Sequence, residues 1–168
     1  MKRFGATLAL MLMVAAPALA QSGDAGGIKR TDTPNFPISQ AVLVPGGSDL
    51  YFFSGVVPSV TDPAAPRGSI QSFGDTEAQT ENVLGKIKKT LEAQGLGLKD
   101  VVLMHVYLVG DPAKGGTMDF GGMMNAYRRH FGTAEQPNKP ARSTVQVAGL
   151  ASPGMLVEIE VVAARAKP

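Results

Sequence analysis

Two stretches near the C-terminus alternate with period two. In Arg142-Ser143-Thr144-Val145-Gln146-Val147, the side chains of Arg142, Thr144 and Gln146 point one way and those of Ser143, Val145 and Val147 the other, as on a strand. Residues 155–162 form a second such run, rich in β-branched residues, with Glu158 and Glu160 on a common face. Upstream, the apolar residues 41–44 and 50–53 flank Pro45-Gly46-Gly47-Ser48, a turn-rich link that predicts an antiparallel hairpin. Residues 56–69 carry Pro58, Pro63 and Pro66 and read as loop, because each proline would break a central strand or helix.

Helical spacing follows. Thr76-Glu77-Ala78-Gln79 has the spacing of a capping box, Val83, Leu84, Ile87 and Leu91 recur on one face, and Gly95 supplies a stop. Val101 to Val109 is apolar on both faces and predicts a buried strand. Phe120, Met123, Met124, Tyr127 and Phe131 mark a second amphipathic helix, with Arg128 and Arg129 near its cation-preferring end; Pro137 and Pro140 then lead into the Arg142 strand. The order strand, strand, helix, strand, helix, strand, strand is met most economically by an α+β fold with two helices on one face of a mixed sheet. The uncovered face carries one of the two alternating sets of the Arg142 strand. If it is as apolar as the last strand implies, it needs a protein partner.

The first 20 residues stand apart. Lys2 and Arg3 precede an apolar run and then Pro17-Ala18-Leu19-Ala20, the layout of a secretory signal peptide (1–20) cleaved after Ala20. The run is too short for a membrane anchor. Residues 21–27 are small and polar and read as a flexible tether, leaving one domain over 28–166 in a periplasmic or secreted protein. Cleavage removes two of the 16 basic residues and none of the 14 acidic ones, so the mature formal charge is zero and the basic pI belongs to the precursor. Neither nucleic acid nor an anionic membrane surface is an expected partner. The chain has no cysteine, which excludes disulfides and thiolate chemistry. His105 and His130 are not in ligand spacing with each other, so no metal is expected, and no phosphate loop or cofactor motif is present.

What remains as chemistry is Arg142 and Glu158. An arginine on a strand offers a planar fork of donors that matches a carboxylate at any working pH. Hydrolysis of an imine needs water to reach the C=N carbon while protons move to nitrogen, and a nearby carboxyl group can position that water. The competing reading is a structural ion pair between the two residues across adjacent strands.

The run from Pro140 through Ile159 resembles the signature of the RidA family (YjgF/YER057c/UK114). The likeness extends to Ser54-Gly55, to residues 79–84 and 91–96, and to residues 100–108, and so covers roughly residues 28 to 166. The resemblance implies a chorismate-mutase-like fold, a homotrimer with ligand clefts between subunits, and a cofactor-free enzyme of the 2-iminobutanoate/2-iminopropanoate deaminase type. Such an enzyme converts small imines or enamines to 2-oxo acids and ammonia. By the same likeness Arg142 binds the substrate carboxylate, Glu158 positions or activates water, and Ser54, Gly55, Ile38 and Thr144 line the substrate site. Three positions depart from the family pattern: Ile38 stands where a tyrosine is common, Thr144 where a cysteine is common, and Met124 in place of an asparagine, with Asn125 about 100° further round the helix. These departures keep open a second reading, a non-catalytic ligand-binding or holdase-like trimer. RNA cleavage, reported for some relatives, is disfavoured by the neutral mature charge. For the leader, the expected outcome is that protein recovered from the periplasm has an intact mass beginning at Gln21; a cytosolic chain beginning at Met1 would refute export.

Overall fold

The computed structural model describes residues 21–23 and 27–167. The expected signal peptide lies outside the described residues. Seven strands form one mixed sheet: β1 (Gln21–Gly23), β2 (Lys29–Asp32), β3 (Ser39–Leu43), β4 (Asp49–Val56), β5 (Val101–Val109), β6 (Ala141–Val147) and β7 (Val157–Arg165), in the order β1-β2-β3-β6-β5-β7-β4. Three helices, α1 (Ile70–Phe73), α2 (Thr76–Ala93) and α3 (Phe120–Tyr127), complete the α+β fold expected from the periodicity.

β5 organises the molecule. It runs parallel to β6, with Met104 beside Arg142 and Val106 beside Thr144, and antiparallel to β7, with Met104 beside Val161 and Tyr107 beside Glu158. Met104, Val106 and Leu108 therefore share a face with Val157, Ile159 and Val161. That face meets Val83, Leu84, Ile87 and Leu91 of α2, Met123 and Tyr127 of α3, and Phe131 just beyond it, in one closely packed core. Among the described residues the opposite face has no helix over it, and it leaves Phe52 at 77% and Val145 at 47% exposure.

The expected hairpin between residues 41–44 and 50–53 does not form. β3 pairs instead with β2, Arg30 beside Val42, and touches β6 through Ser39 beside Ala141. β4 lies at the far edge of the sheet against β7, with Phe53 beside Val161. Pro45 to Ser48 makes a local turn in which both the amide and the hydroxyl of Ser48 donate to the Pro45 carbonyl. A turn signal fixes a change of direction, whereas the ladder partner is chosen by long-range packing of two uniformly apolar runs that fit many neighbours. The hairpin turn proper spans residues 33–38, where Thr33 N–H donates to the Ile38 carbonyl and Asn35 takes the left-handed conformation (φ 58°).

Two further expectations are corrected. Gln21–Gly23 is a strand on the free edge of β2, Ser22 beside Arg30, so this part of the tether is paired. Backbone ladders accept small polar residues wherever an edge is open. The cap of α2 is Asp75, whose carboxylate accepts the Ala78 N–H at 2.9 Å, and not the Thr76 box. Gln79, the residue assigned to that box, is fully buried. Its amide donates to the carbonyls of Gly74 and Gly154, and its oxygen accepts the Leu156 N–H at 2.7 Å. It thus ties the start of α2 to the entry of β7. Replacing Gln79 with Met keeps much of the volume but orphans three buried backbone groups. The expected loss is roughly 2–4 kcal/mol, read by urea unfolding; a loss under about 0.5 kcal/mol would show the bridge to be dispensable.

Candidate functional site

The residues singled out by sequence fall into two groups on opposite faces of the sheet. On the helix face, Arg142 extends from β6 beneath α3. Its guanidinium carbon lies 4.2 Å from the centre of the Tyr127 ring, with the rings of Phe36 and Phe120 at 5.8 and 5.9 Å. The Tyr127 hydroxyl donates to the Pro37 carbonyl at 2.9 Å, and burial pushes its pKa well above the ordinary tyrosine value. The ring is therefore neutral, and the contact is a cation–π interaction. Arg142 Nη2 donates to the sulfur of Met124 at 3.2 Å, a weak acceptor. Burial lowers the Arg142 pKa from its usual value, but a guanidinium keeps its charge in any working pH range.

Two polar atoms on this face are buried without a hydrogen-bond partner: Arg142 Nη1 and, two residues along the same strand, Thr144 Oγ1. Among the described residues, no carboxylate lies within salt-bridge distance of Arg142. Ile38 packs against the main core from the 33–38 turn. Asn125 is turned away and donates to Glu77 on α2. The Arg142–Glu158 ion pair is thus absent, because β5 stands between their strands and the registers 104–142 and 107–158 put the two side chains on opposite faces.

On the open face, Glu158 lies over Gly55. A Cβ at Gly55 would overlap the Glu158 carboxylate, so the missing side chain is what lets the acid sit there. Ser54 and Gly55 occupy an irregularity in the β4–β7 ladder between Phe53 and Val56, where a bulge re-aims side chains. A cavity of about 360 Å³ adjoins it, lined by Phe52, Ser54, Leu103, His105, Glu160 and Val162 among others. Here the sequence reading missed a network. Glu160, which shares a face with Glu158, accepts from His105 Nδ1 at 2.7 Å and from the Tyr107 hydroxyl at 2.9 Å. Period-two spacing of His105 and Tyr107 opposite Glu158 and Glu160 was the available signal, but it needed the strand pairing to be read.

Residues 33–165 match the family described as Endoribonuclease L-PSP, the RidA/YjgF family, and the chain belongs to it. A RutC family protein of Pyrococcus horikoshii is 37% identical over 130 residues, covering 77% of this chain and 88% of that protein. The 3-aminoacrylate deaminase RutC of Acinetobacter baylyi is 32% identical over 127 residues, covering 76% and 88%. Among solved structures, E. coli TdcF with bound serine superposes with a TM-score of 0.52 at 29% identity, over 77% of this chain and 89% of that one. At the level of the family, these likenesses support deamination of imines or enamines.

The Glu160 network carries a pH signature. The hydrogen bonds from His105 and then Tyr107 hold the Glu160 carboxyl below its ordinary pKa of 4.5. A depressed carboxylate contributes stability that is fully present above the unfolded value and is lost as pH falls through the folded one. Glu160→Gln should therefore be less stable than the wild type near neutral pH, with the gap closing as pH falls below 4.5. Thermal unfolding across that range checks it, and a gap independent of pH would contradict it.

Proposed function

We propose that this chain is an exported, homotrimeric deaminase that hydrolyses small 2-imino acids, and their 2-enamino tautomers, to 2-oxo acids and ammonia. The observation that carries this reading is the uncompensated Arg142 guanidinium, with Nη1 and the neighbouring Thr144 hydroxyl buried and unpartnered on one face. Such a pair is costly unless an anion arrives to satisfy it, and a carboxylate matches the guanidinium fork. The deaminase named among the relatives and the amino acid held by TdcF both point to ligands of this kind.

In the reaction, water oxygen adds to the imine carbon while one water proton passes through the Glu158 carboxylate to the imine nitrogen, giving a carbinolamine whose hydroxyl proton then moves by the same route to the departing nitrogen. Collapse of the resulting carbinolamine expels ammonia and leaves the 2-oxo acid. Because Arg142 and Glu158 face opposite ways within one subunit, the reading requires the Glu158 and Gly55 of a neighbouring subunit to close the cleft over Arg142. The exposed Phe52 and Val145 favour burial of the open face in a closed ring. The non-catalytic, ligand-binding reading has one observation in its favour: Met124 already occupies an Arg142 donor.

The two readings separate by ammonia release from an imine generated in situ by an amino-acid oxidase. Arg142→Lys keeps charge but loses the fork, and is expected to weaken 2-oxo acid binding about tenfold or more. Glu158→Gln cannot take a proton and is expected to lower kcat about a hundredfold with affinity little changed. Both variants are first checked for fold and for a trimeric mass by light scattering. Wild-type binding in the first and wild-type turnover in the second, or a stable monomer, would sink the proposal.

A further inference from the structure

Arg142 is not the only uncompensated cation beside the 33–38 turn. Arg128, immediately after α3, places its guanidinium 5.6 Å from the centre of the same Phe36 ring that lies 5.8 Å from Arg142. The basic side chains around it have acidic partners. Arg129 is bound to Glu77 and Glu81, His130 to Glu81, and Lys139 to Asp32 at 3.2 Å. Among the described residues Arg128, like Arg142, has no carboxylate within salt-bridge distance. The two charges feel one another, since Arg128 contributes to the lowering of the Arg142 pKa after the larger effect of burial.

Arg128 borders a cavity of about 200 Å³ lined by Asn35, Phe36, Pro37, Gly132 and Lys139. Its walls are fixed. Tyr127 holds the Pro37 carbonyl, the Thr33–Ile38 hydrogen bond closes the turn, and a Cβ on Gly132 would come within 3.2 Å of Pro37. The space is smaller than the roughly 300–1,000 Å³ of an ordinary ligand pocket. It suits one arm of a ligand whose other end is elsewhere. A basic residue at the end of a helix can serve the helix dipole alone. That role does not account for a second unpaired guanidinium on the same aromatic ring, where like charges repel and an acidic neighbour would relieve them.

We infer that Arg128 forms a second anion subsite beside Arg142, so that the cleft prefers 2-imino and 2-oxo dicarboxylates over monocarboxylates. The inference rests on the reading of Arg142 as the holder of the first carboxylate. Arg142 takes the carboxylate next to the reacting carbon, and Arg128 takes the one at the end of the side chain. Because Arg128 is exposed, its contribution is screened by salt.

The test is calorimetric titration of the full mature chain at low ionic strength with 2-oxoglutarate, oxaloacetate and 2-oxobutanoate. At least one dicarboxylate should bind the wild type about tenfold more tightly than 2-oxobutanoate, a preference that shrinks with added salt. Arg128→Ala should abolish the preference and leave the 2-oxobutanoate affinity within about twofold, while Arg67→Ala, which removes an exposed charge elsewhere, should preserve it. Arg142→Lys should weaken all three ligands. Equal wild-type affinities, or a preference that survives in Arg128→Ala, would overturn the subsite while leaving the Arg142 reading intact. Unchanged binding in Arg142→Lys, or no binding of any ligand to the wild type, would remove both.

Discussion

The register of β5 with its two neighbours is the constraint on which everything else rests. Side chains alternate along a strand, so a residue beside Met104 and a residue beside Tyr107 must face opposite ways. Slipping β6 or β7 by one position would align Arg142 with Glu158 on one face, but it would also turn Val157, Ile159 and Val161, or their counterparts, out of the core. The separation of cation and acid is therefore held by the whole buried face of the sheet. On the proposed reading, chemistry that uses both draws them from different copies of the chain, so that reading makes assembly a condition of catalysis.

The two faces treat charge differently. Under α3, Arg142 is surrounded by the π-faces of Tyr127, Phe36 and Phe120 and by a thioether, which tolerate a cation without neutralising it. On the open face, Glu160 is satisfied by an imidazole and a phenol, and Tyr107 is kept protonated because its hydroxyl donates to that carboxylate. The first arrangement leaves a donor of the cation without a partner. The second already has its partners and orders the surface on which Glu158 sits, and Gly55 sets how closely the acid can approach the β4 backbone.

Legibility of the fold in the sequence followed from range. α2, α3, β5, β6 and β7 each announce themselves by local period, and each forms close to where that period places it. The partners of β3 and β4 do not: β4 pairs with β7 across more than 100 positions, as Phe53 does with Val161, and β3 turns back onto β2 through a turn that contains no glycine while meeting β6 only through Ser39 and Ala141. α1 is four residues long and gives no period to read. α3 stops at Tyr127 although its apolar spacing continues to Phe131, because turns at His130 and Phe131, both donating to the Tyr127 carbonyl, close its end. For the site, Arg142 and Thr144 were readable as one face of one strand. Phe36 was not, because its importance comes from a turn folded back against α3.

The three departures from the family pattern act together on the cleft. Isoleucine at position 38 has no hydroxyl and joins the core, and an aromatic surface is supplied instead by Phe36 from the same turn. Thr144 presents an oxygen with no partner, and Met124 presents only a thioether to Arg142. The changes at 38 and 124 remove or weaken a group that could have satisfied the guanidinium from within the protein, whereas Thr144 adds a hydroxyl that is itself unpartnered. A donor left with poor acceptors does not lose its demand for one, since the cost of its burial is already present. On the proposed reading the acceptor that answers it is the carboxylate of a ligand, so the substitutions that most obscure the substrate's identity are also those that favour its being an anion.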